Sequence, residues 1–480
     1  MMSKNKLRIY FSDFFGVSPE SVTDYGAFNI SLINDLPLFI DPFLLFNSDN
    51  PEYQRLHKEM IDYVVFLKSK SGQDLPEGLI KSWFYFPEIK QNWLGYSKTG
   101  NNGRGLGPVF AASLKRNLTS LFRNFGDLDD KSPHLEKLTL VKNGVGRDHI
   151  SDFTCNLICG FLAKYTEDFA LKYLPKSKLG KFNIPKVTFN KNTETWAAKQ
   201  FTLPKFGNQF VLLTPIDILT KDESWISHQG LVEDYSQVLA SVDNDQLRAQ
   251  INKYFTQNLP IDATKQQLSD TLEMVIERFP QVLDAYVKLK ERDKAGASKH
   301  REQKIGEAQD IFLDQCTELA ESLDQVNFYD LPEKDFSSAL EKVKLFRDVL
   351  ESQAGENIFF SGAKPISREE DITIMFKLVW LAASCEEPND NKSEKNSAKI
   401  LYGEDKHNTI ELKLAKNGKM QSIIEEHAKK IKLPSFEKSP PIRAIIAFKR
   451  REITKIDNLI TKNGLSARKE FVLIDLSQDD

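Results

Sequence analysis

Apolar positions change period several times along this chain, and each change predicts an element. YQRLHKEMIDYVVFLKSK (53–70) carries apolar residues at three-and-four spacing and predicts a helix. NDLPLFIDPFLLF (34–46), apolar and interrupted by two prolines, predicts a buried extended segment. The glycine-rich NNGRGLGP (101–108) leads into VFAASLKRNLTSLF, a helix bearing basic residues. KLTLVKNGVGRDHISDFTCNLICGFLAKYTEDFALKYL (137–174) reads as a strand, a turn and a long amphipathic helix. FNIPKVTFN (182–190) reads as a strand, and FGNQFVLLTPIDIL (206–219) as a turn and an apolar strand. Residues 261–352 are highly charged, with apolar residues at helical spacing. They predict two or three helices broken near Pro280 and again around KAGASK (294–299). AGENIFFSGAKPISREED (354–371) reads as a linker into the next helix.

From Ser367 the order becomes legible. SREEDITIMFKLVWLAA is a helix, with Ser367 as N-cap, Glu370 three residues on, and a stripe of Ile372, Met375, Phe376, Val379 and Ala383. Glu369 flanks that stripe. AKILYG and NTIELKLAK are short strands around the GEDKH turn. MQSIIEEHAKKI is a helix, IRAIIAFK a buried strand, REITKIDNLITKNG a helix ended by Asn463-Gly464, and EFVLIDL a strand. The closing strand–helix–strand implies a parallel pair with a right-handed crossover. The fold class is therefore multidomain α/β and α+β. A mixed α/β recognition or regulatory region (1–260, with room for two subdomains) is followed by a helical connector (261–352) and an α-β-β-α-β-α-β domain (367–476).

That last order, with Glu411-Leu412-Lys413 on its second strand, resembles the PD-(D/E)xK, restriction-endonuclease-like nuclease superfamily over about a quarter of the chain. Residues 1–350 resemble the N-terminal regions of bacterial defence-type proteins, with no motif that carries chemistry. Period-two alternation puts Glu411 and Lys413 on one face of their strand and Ile410, Leu412 and Leu414 on the other. The resemblance implies that Glu411 binds Mg²⁺ (or Mn²⁺) with a phosphate oxygen, that Lys413 polarises the attacking water, and that Glu369 joins the metal shell. It also implies a metal-dependent endonuclease acting on DNA or RNA in bacterial antiviral defence. The chain departs from the pattern at one point. AKILYG holds no carboxylate where the superfamily has one, and the nearest acids are Glu404 and Asp405 in the following turn and Glu394 before it. Either one of these is recruited to the metal, or the module is a catalytically degenerate nucleic-acid-binding, sensor or scaffold unit.

Composition narrows the partners. A net charge of −3 over 480 residues does not mark a polyanion binder overall. Locally, Lys413–Lys469 holds fifteen Lys/Arg against five Asp/Glu, which favours nucleic acid, DNA first, with Lys416, Lys419, Lys429, Lys430, Arg450 and Arg451 as phosphate contacts. A solvated basic face is the plainer reading of the same residues. The charged helices suit a homo-oligomer or a partner protein as well as a solvated face. Asp148, Asp152 and Asp217 form a secondary candidate site, although aspartates at a helix mouth also cap free backbone N–H groups. Four cysteines (Cys155, Cys159, Cys316, Cys385) make no disulfide framework and suit a reducing cytoplasm. No run of about 18 apolar residues predicts a membrane span.

Overall fold

The computed structural model describes residues 7–95, 106–120, 133–140, 147–222, 224–383, 399–402, 408–432, 436, 440–466 and 469–477. Glu404, Asp405, Glu394 and Cys385 lie outside them, as do residues 101–105 of the glycine-rich loop.

The N-terminal region is mainly helical around two small sheets. β1 (Leu38–Ile40) runs straight into α1 (Pro42–Asn47). The predicted extended segment therefore ends early, because Asp41 caps the Phe43 N–H at 3.0 Å and Pro42 takes the first helical position, where its missing N–H costs nothing. The predicted helix forms as α2 (Pro51–Ser71). The long amphipathic helix is two, α3 (Arg147–Leu157) and α4 (Cys159–Tyr173). KLTL is one helical turn (Lys137–Leu140) rather than a strand, with Leu140 fully buried. β2 (Leu179–Asn190) and β3 (Thr195–Phe206) form a long antiparallel hairpin against α4. At Gly160 an added Cβ would sit 2.6 Å from the Val187 carbonyl oxygen, so only glycine permits this approach. Of the predicted apolar strand, Gln209–Phe210 pair antiparallel with the end of β3, and a further short strand, β4 (Leu219–Lys221), begins at its last residue and pairs antiparallel with β1. Leu212 and Leu213 are buried outside any strand, and their N–H groups go to the Gln91 carbonyl and to Thr166 Oγ1.

The connector contains α5 (Lys265–Arg278), α6 (Gln281–Arg292), α7 (Lys294–Gln309), α8 (Gln315–Gln325) and α9 (Phe336–Leu350). A break falls at Phe279-Pro280, close to the predicted one. The second falls at Asp293, whose side chain caps the Gly296 N–H at 2.9 Å, so KAGASK opens a helix instead of ending one.

α10 (Glu369–Trp380) starts two residues after the predicted cap. Ser367 makes no cap, because Arg368 turns to Asp222 and Asp371 to Lys221. The strand order is β8 (Phe471–Asp475), β7 (Ile442–Ala447), β6 (Thr409–Leu414), β5 (Ile400–Leu401). The β8–β7 and β7–β6 pairs are parallel and β6–β5 is antiparallel. α11 (Met420–Lys430) and α12 (Arg450–Lys462) connect the parallel strands. Ile410, Leu412, Leu414, Ala444 and Ile446 join the large core shared with α10. Ala415, Ile445 and Ala447 pack with Met420, Ile424 and Ile456 on the opposite face. The sheet is thus the middle of three layers.

α10 is buried along nearly its whole length. Arg8 donates to the Ala382 carbonyl at 2.9 Å, Lys377 to Asn34 Oδ1 at 3.2 Å, and Tyr329 to the Val379 carbonyl at 2.9 Å. It is held by the N-terminal region and the connector as well as by its own sheet.

Candidate functional site

β6 places Glu411 and Lys413 on the face towards α11, as alternation requires, but their partners differ. The register pairs Ile400 with Ile410 and Arg443 with Glu411, so Lys399 stands opposite Glu411 on one neighbouring strand and Arg443 on the other. Both cations take the acid. Lys399 Nζ contacts Glu411 Oε1, and Arg443 Nε lies 3.7 Å from Oε2. Burial pushes the Glu411 carboxyl up, but Arg443, Lys399 and Lys413 outweigh it and hold the group below the usual carboxylate range. Arg443 also donates to His427 Nδ1, and His427 Nε2 lies 3.3 Å from Glu470 Oε1. With Nδ1 accepting, the ring proton belongs on Nε2, donated to Glu470, and the imidazole is neutral. Burial first, and then Arg443, lower the His427 pKa against the pull of Glu470. Two carboxylates, two cations and one neutral imidazole sum to zero charge.

Glu369 belongs to a second group. Its Oε1 accepts from Lys413 Nζ at 3.2 Å, and its Oε2 from the Leu414 N–H at 3.0 Å and Asn417 Nδ2 at 2.8 Å. The Glu369 carboxylate thus caps the edge of β6 beyond the two-residue β5. Lys413 sits between the two groups, bonded to Glu369 and within electrostatic reach of Glu411.

A divalent cation needs several oxygen ligands converging on one point. Here the Glu411 oxygens face Lys399 and Arg443, while those of Glu369 are engaged by Lys413 and two N–H donors. Among the described residues no three His, Cys, Asp or Glu side chains gather as a metal-holding group. This donor set does not fit the ion.

The six predicted phosphate contacts separate into two sets. Lys416 and Lys419 lie in the loop from β6 to α11, and Arg450 and Arg451 begin α12 after β7. β6 and β7 are parallel neighbours, so these four exposed residues share the edge beyond the strands' carboxyl ends, with exposed Lys449 among them. The N-termini of α11 and α12 open onto the same edge, with their partial positive charge. Lys429 and Lys430 lie at the other end of α11, about 15 Å away, and Lys430 pairs with Glu426 at 2.7 Å.

The secondary candidate site is also rearranged. Asp148 and Asp152, in the first turns of α3, meet Asp35 and Glu88, and Lys90 and Lys377 supply the nearby positive charge. Asp217 is elsewhere, accepting from the Tyr53 hydroxyl at 2.9 Å. Asp35 is 2% exposed; its Oδ1, like Glu88 Oε2, has no hydrogen-bond partner among the described residues. Burial, then Asp148 and Glu88, push the Asp152 carboxyl up to about 8. Burial lowers the Lys377 ammonium to about 8.

The sign follows. The folded chain keeps the Asp152 proton between the ordinary carboxylate range and about pH 8, whereas the unfolded chain loses it, so stability falls as pH rises across that window. Asp152→Asn is expected to remove this cost, stabilising the chain by roughly 2–4 kcal/mol at pH 8 and by little at pH 4. Urea midpoints at the two pH values measure it, and an equal shift at both would rule it out.

Sequence reasoning missed Lys399, Arg443, His427, Glu470 and Asn417 around β6, and Asp35, Glu88, Lys90 and Lys377 around α3. Lys399 was visible in AKILYG as the residue standing where a carboxylate was sought. The rest needed the strand register or contacts between distant segments.

Residues 16–227 match a family described as a domain of unknown function (DUF8370), and residues 336–434 match a second domain of unknown function (DUF8371). No curated protein and no solved structure matches the chain. The first match contains the carboxylate cluster and the hairpin. The second contains Glu369, Lys399, Glu411 and Lys413 and ends before Arg443.

Proposed function

We propose that residues 367–476 form a nucleic-acid-binding module with nuclease-like element order, in which a compensated charge network occupies the place of a metal site. One observation carries this reading: both cross-strand neighbours of Glu411 are cations that take its carboxylate. An ion bound there would have to displace Lys399 and Arg443 from a pocket already neutral without it.

The binding surface is the edge formed by Lys416, Lys419, Lys449, Arg450 and Arg451. Ligands of α/β sheets sit beyond the carboxyl ends of parallel strands, and helix N-termini there favour phosphate. Contacts of this kind read the backbone and are blind to base sequence.

Full-length protein should bind duplex and single-stranded nucleic acid in a salt-dependent manner. Replacing Lys416, Lys419, Arg450 and Arg451 together with Ala should weaken binding by about 10²-fold and flatten the slope of log K against log salt by roughly 3. Unchanged affinity and slope would reject the edge as the contact. Mg²⁺-dependent cleavage by the wild type, lost in Lys413→Ala, would reject the degenerate reading in favour of a nuclease using Glu411, Lys413 and Glu369.

A further inference from the structure

The hairpin of β2 and β3 carries a charge imbalance that neither the fold nor the C-terminal reading uses. Residues 172–205 contain eight lysines and one acid, Glu194, and that acid is taken by Lys70 at 2.7 Å. Three of the lysines have structural work. Lys186 donates to the Ser82 and Tyr85 carbonyls, Lys191 pairs with Asp62 at 2.7 Å, and Lys172, in the last turn of α4, complements its dipole. Lys176, Lys178, Lys181, Lys199 and Lys205 have no carboxylate partner among the described residues. The helix end explains one or two cations, not this many.

Their placement is ordered. Leu179 pairs with Pro204, so Lys178 stands opposite Lys205, and Lys176 and Lys181 flank them at the hairpin base. On the outer face of the hairpin's base half, Lys181 pairs with Thr202 and Asn183 with Gln200, beside the Leu179–Pro204 pair. That face holds no acid, and its Asn, Gln and Thr side chains are hydrogen-bonding groups of the kind that contact phosphate and sugar. The inner face, by contrast, buries Ile184, Phe201 and Leu203. A solvated antiparallel face ordinarily mixes both signs of charge. Twelve residues per strand span about 40 Å, a little more than one turn of duplex.

We propose that this hairpin is a second, sequence-blind phosphate-binding surface for double-stranded nucleic acid, independent of the C-terminal edge. The ligand is a nucleic-acid backbone rather than an anionic membrane because the hairpin's apolar side chains, Leu179, Phe182, Phe189 and Trp196 among them, pack against the core instead of standing free to enter the lipid boundary.

The test uses full-length protein and a fluorescent duplex of about 30 base pairs. Lys176, Lys178, Lys181 and Lys205 are replaced together by Gln, and in a second variant by Arg. The Gln variant should lose about tenfold or more in affinity and roughly 3 in salt slope, both in the wild-type background and in the C-terminal edge variant, whereas the Arg variant should bind as the wild type does. Unchanged affinity in the Gln variant overturns the hairpin proposal and leaves the edge reading standing. Loss in the edge variant alone does the same. A Gln variant that keeps duplex binding but loses attachment to vesicles of about 30% anionic lipid also overturns it, in favour of a membrane surface.

Discussion

Arg443→Met is expected to destabilise the protein by about 3–5 kcal/mol, the cost of leaving buried carboxylates without their cation. Arg443 is 5% exposed, lies between Glu411 and Glu470, and donates to His427. Its backbone N–H also goes to the Glu470 carbonyl at 2.7 Å, a bond the substitution keeps, so the loss isolates the guanidinium. The effect should depend on pH. In the folded wild type the Glu411 carboxyl titrates below its ordinary range, so its stabilisation is present at neutral pH and lost on acidification. The gap between wild type and Arg443→Met should therefore narrow as pH falls through the carboxylate range. Adding Glu411→Gln to Arg443→Met should recover part of the loss, because the orphaned charge is gone. Denaturant midpoints for the wild type, Arg443→Met, Glu411→Gln and the double variant decide it. A loss under about 1 kcal/mol, or no recovery in the double variant, would mean that Glu411 is not neutralised by Arg443.

Lys221→Met should have an effect of similar size, about 3–5 kcal/mol, at a different place. The Lys221 ammonium is 1% exposed and meets Asp371 at 3.1 Å, Glu307 at 3.1 Å and Asp222 at 3.2 Å. It joins β4, α7 and α10, and so ties the region of the first family match to that of the second. Among the described residues Asp371, 2% exposed, would keep only Arg368, at 3.8 Å. The local consequence should be a looser α10, read as faster hydrogen exchange at the Ile372–Trp380 amides. Pairing Lys221→Met with Asp371→Asn should restore part of the protection. If exchange in α10 does not change, the ion cluster does not hold the helix.

These two clusters also show where sequence reading reached and where it stopped. The order of helices and strands after Ser367 was legible because each element fills its own period. Ile410, Leu412 and Leu414 alternate, and Asn463-Gly464 ends its helix with Gly464 in the left-handed region. The shared face of Glu411 and Lys413 follows from period two alone. Helix starts were less secure wherever two local signals competed. Pro42 interrupts an apolar segment that reads as extended, yet it opens a helix, and Ser367 satisfies a capping pattern that Arg368 overrides through Asp222.

What Glu411 and Lys413 do was not a local matter. A strand's own residues decide which side chains share a face, because the period is built into the backbone. The residues that lie opposite depend on register between segments far apart in the chain. Register set Lys399 and Arg443 beside Glu411, and the packing of α10 brought Glu369 to Lys413. In the same way, contacts between distant segments gathered Asp35, Glu88, Asp148 and Asp152 while leaving Asp217 with Tyr53. The charge of the hairpin lay open in the sequence as eight lysines against one glutamate. Only the pairing of β2 with β3, and of their inner face with α4, turned that count into an acid-free outer surface.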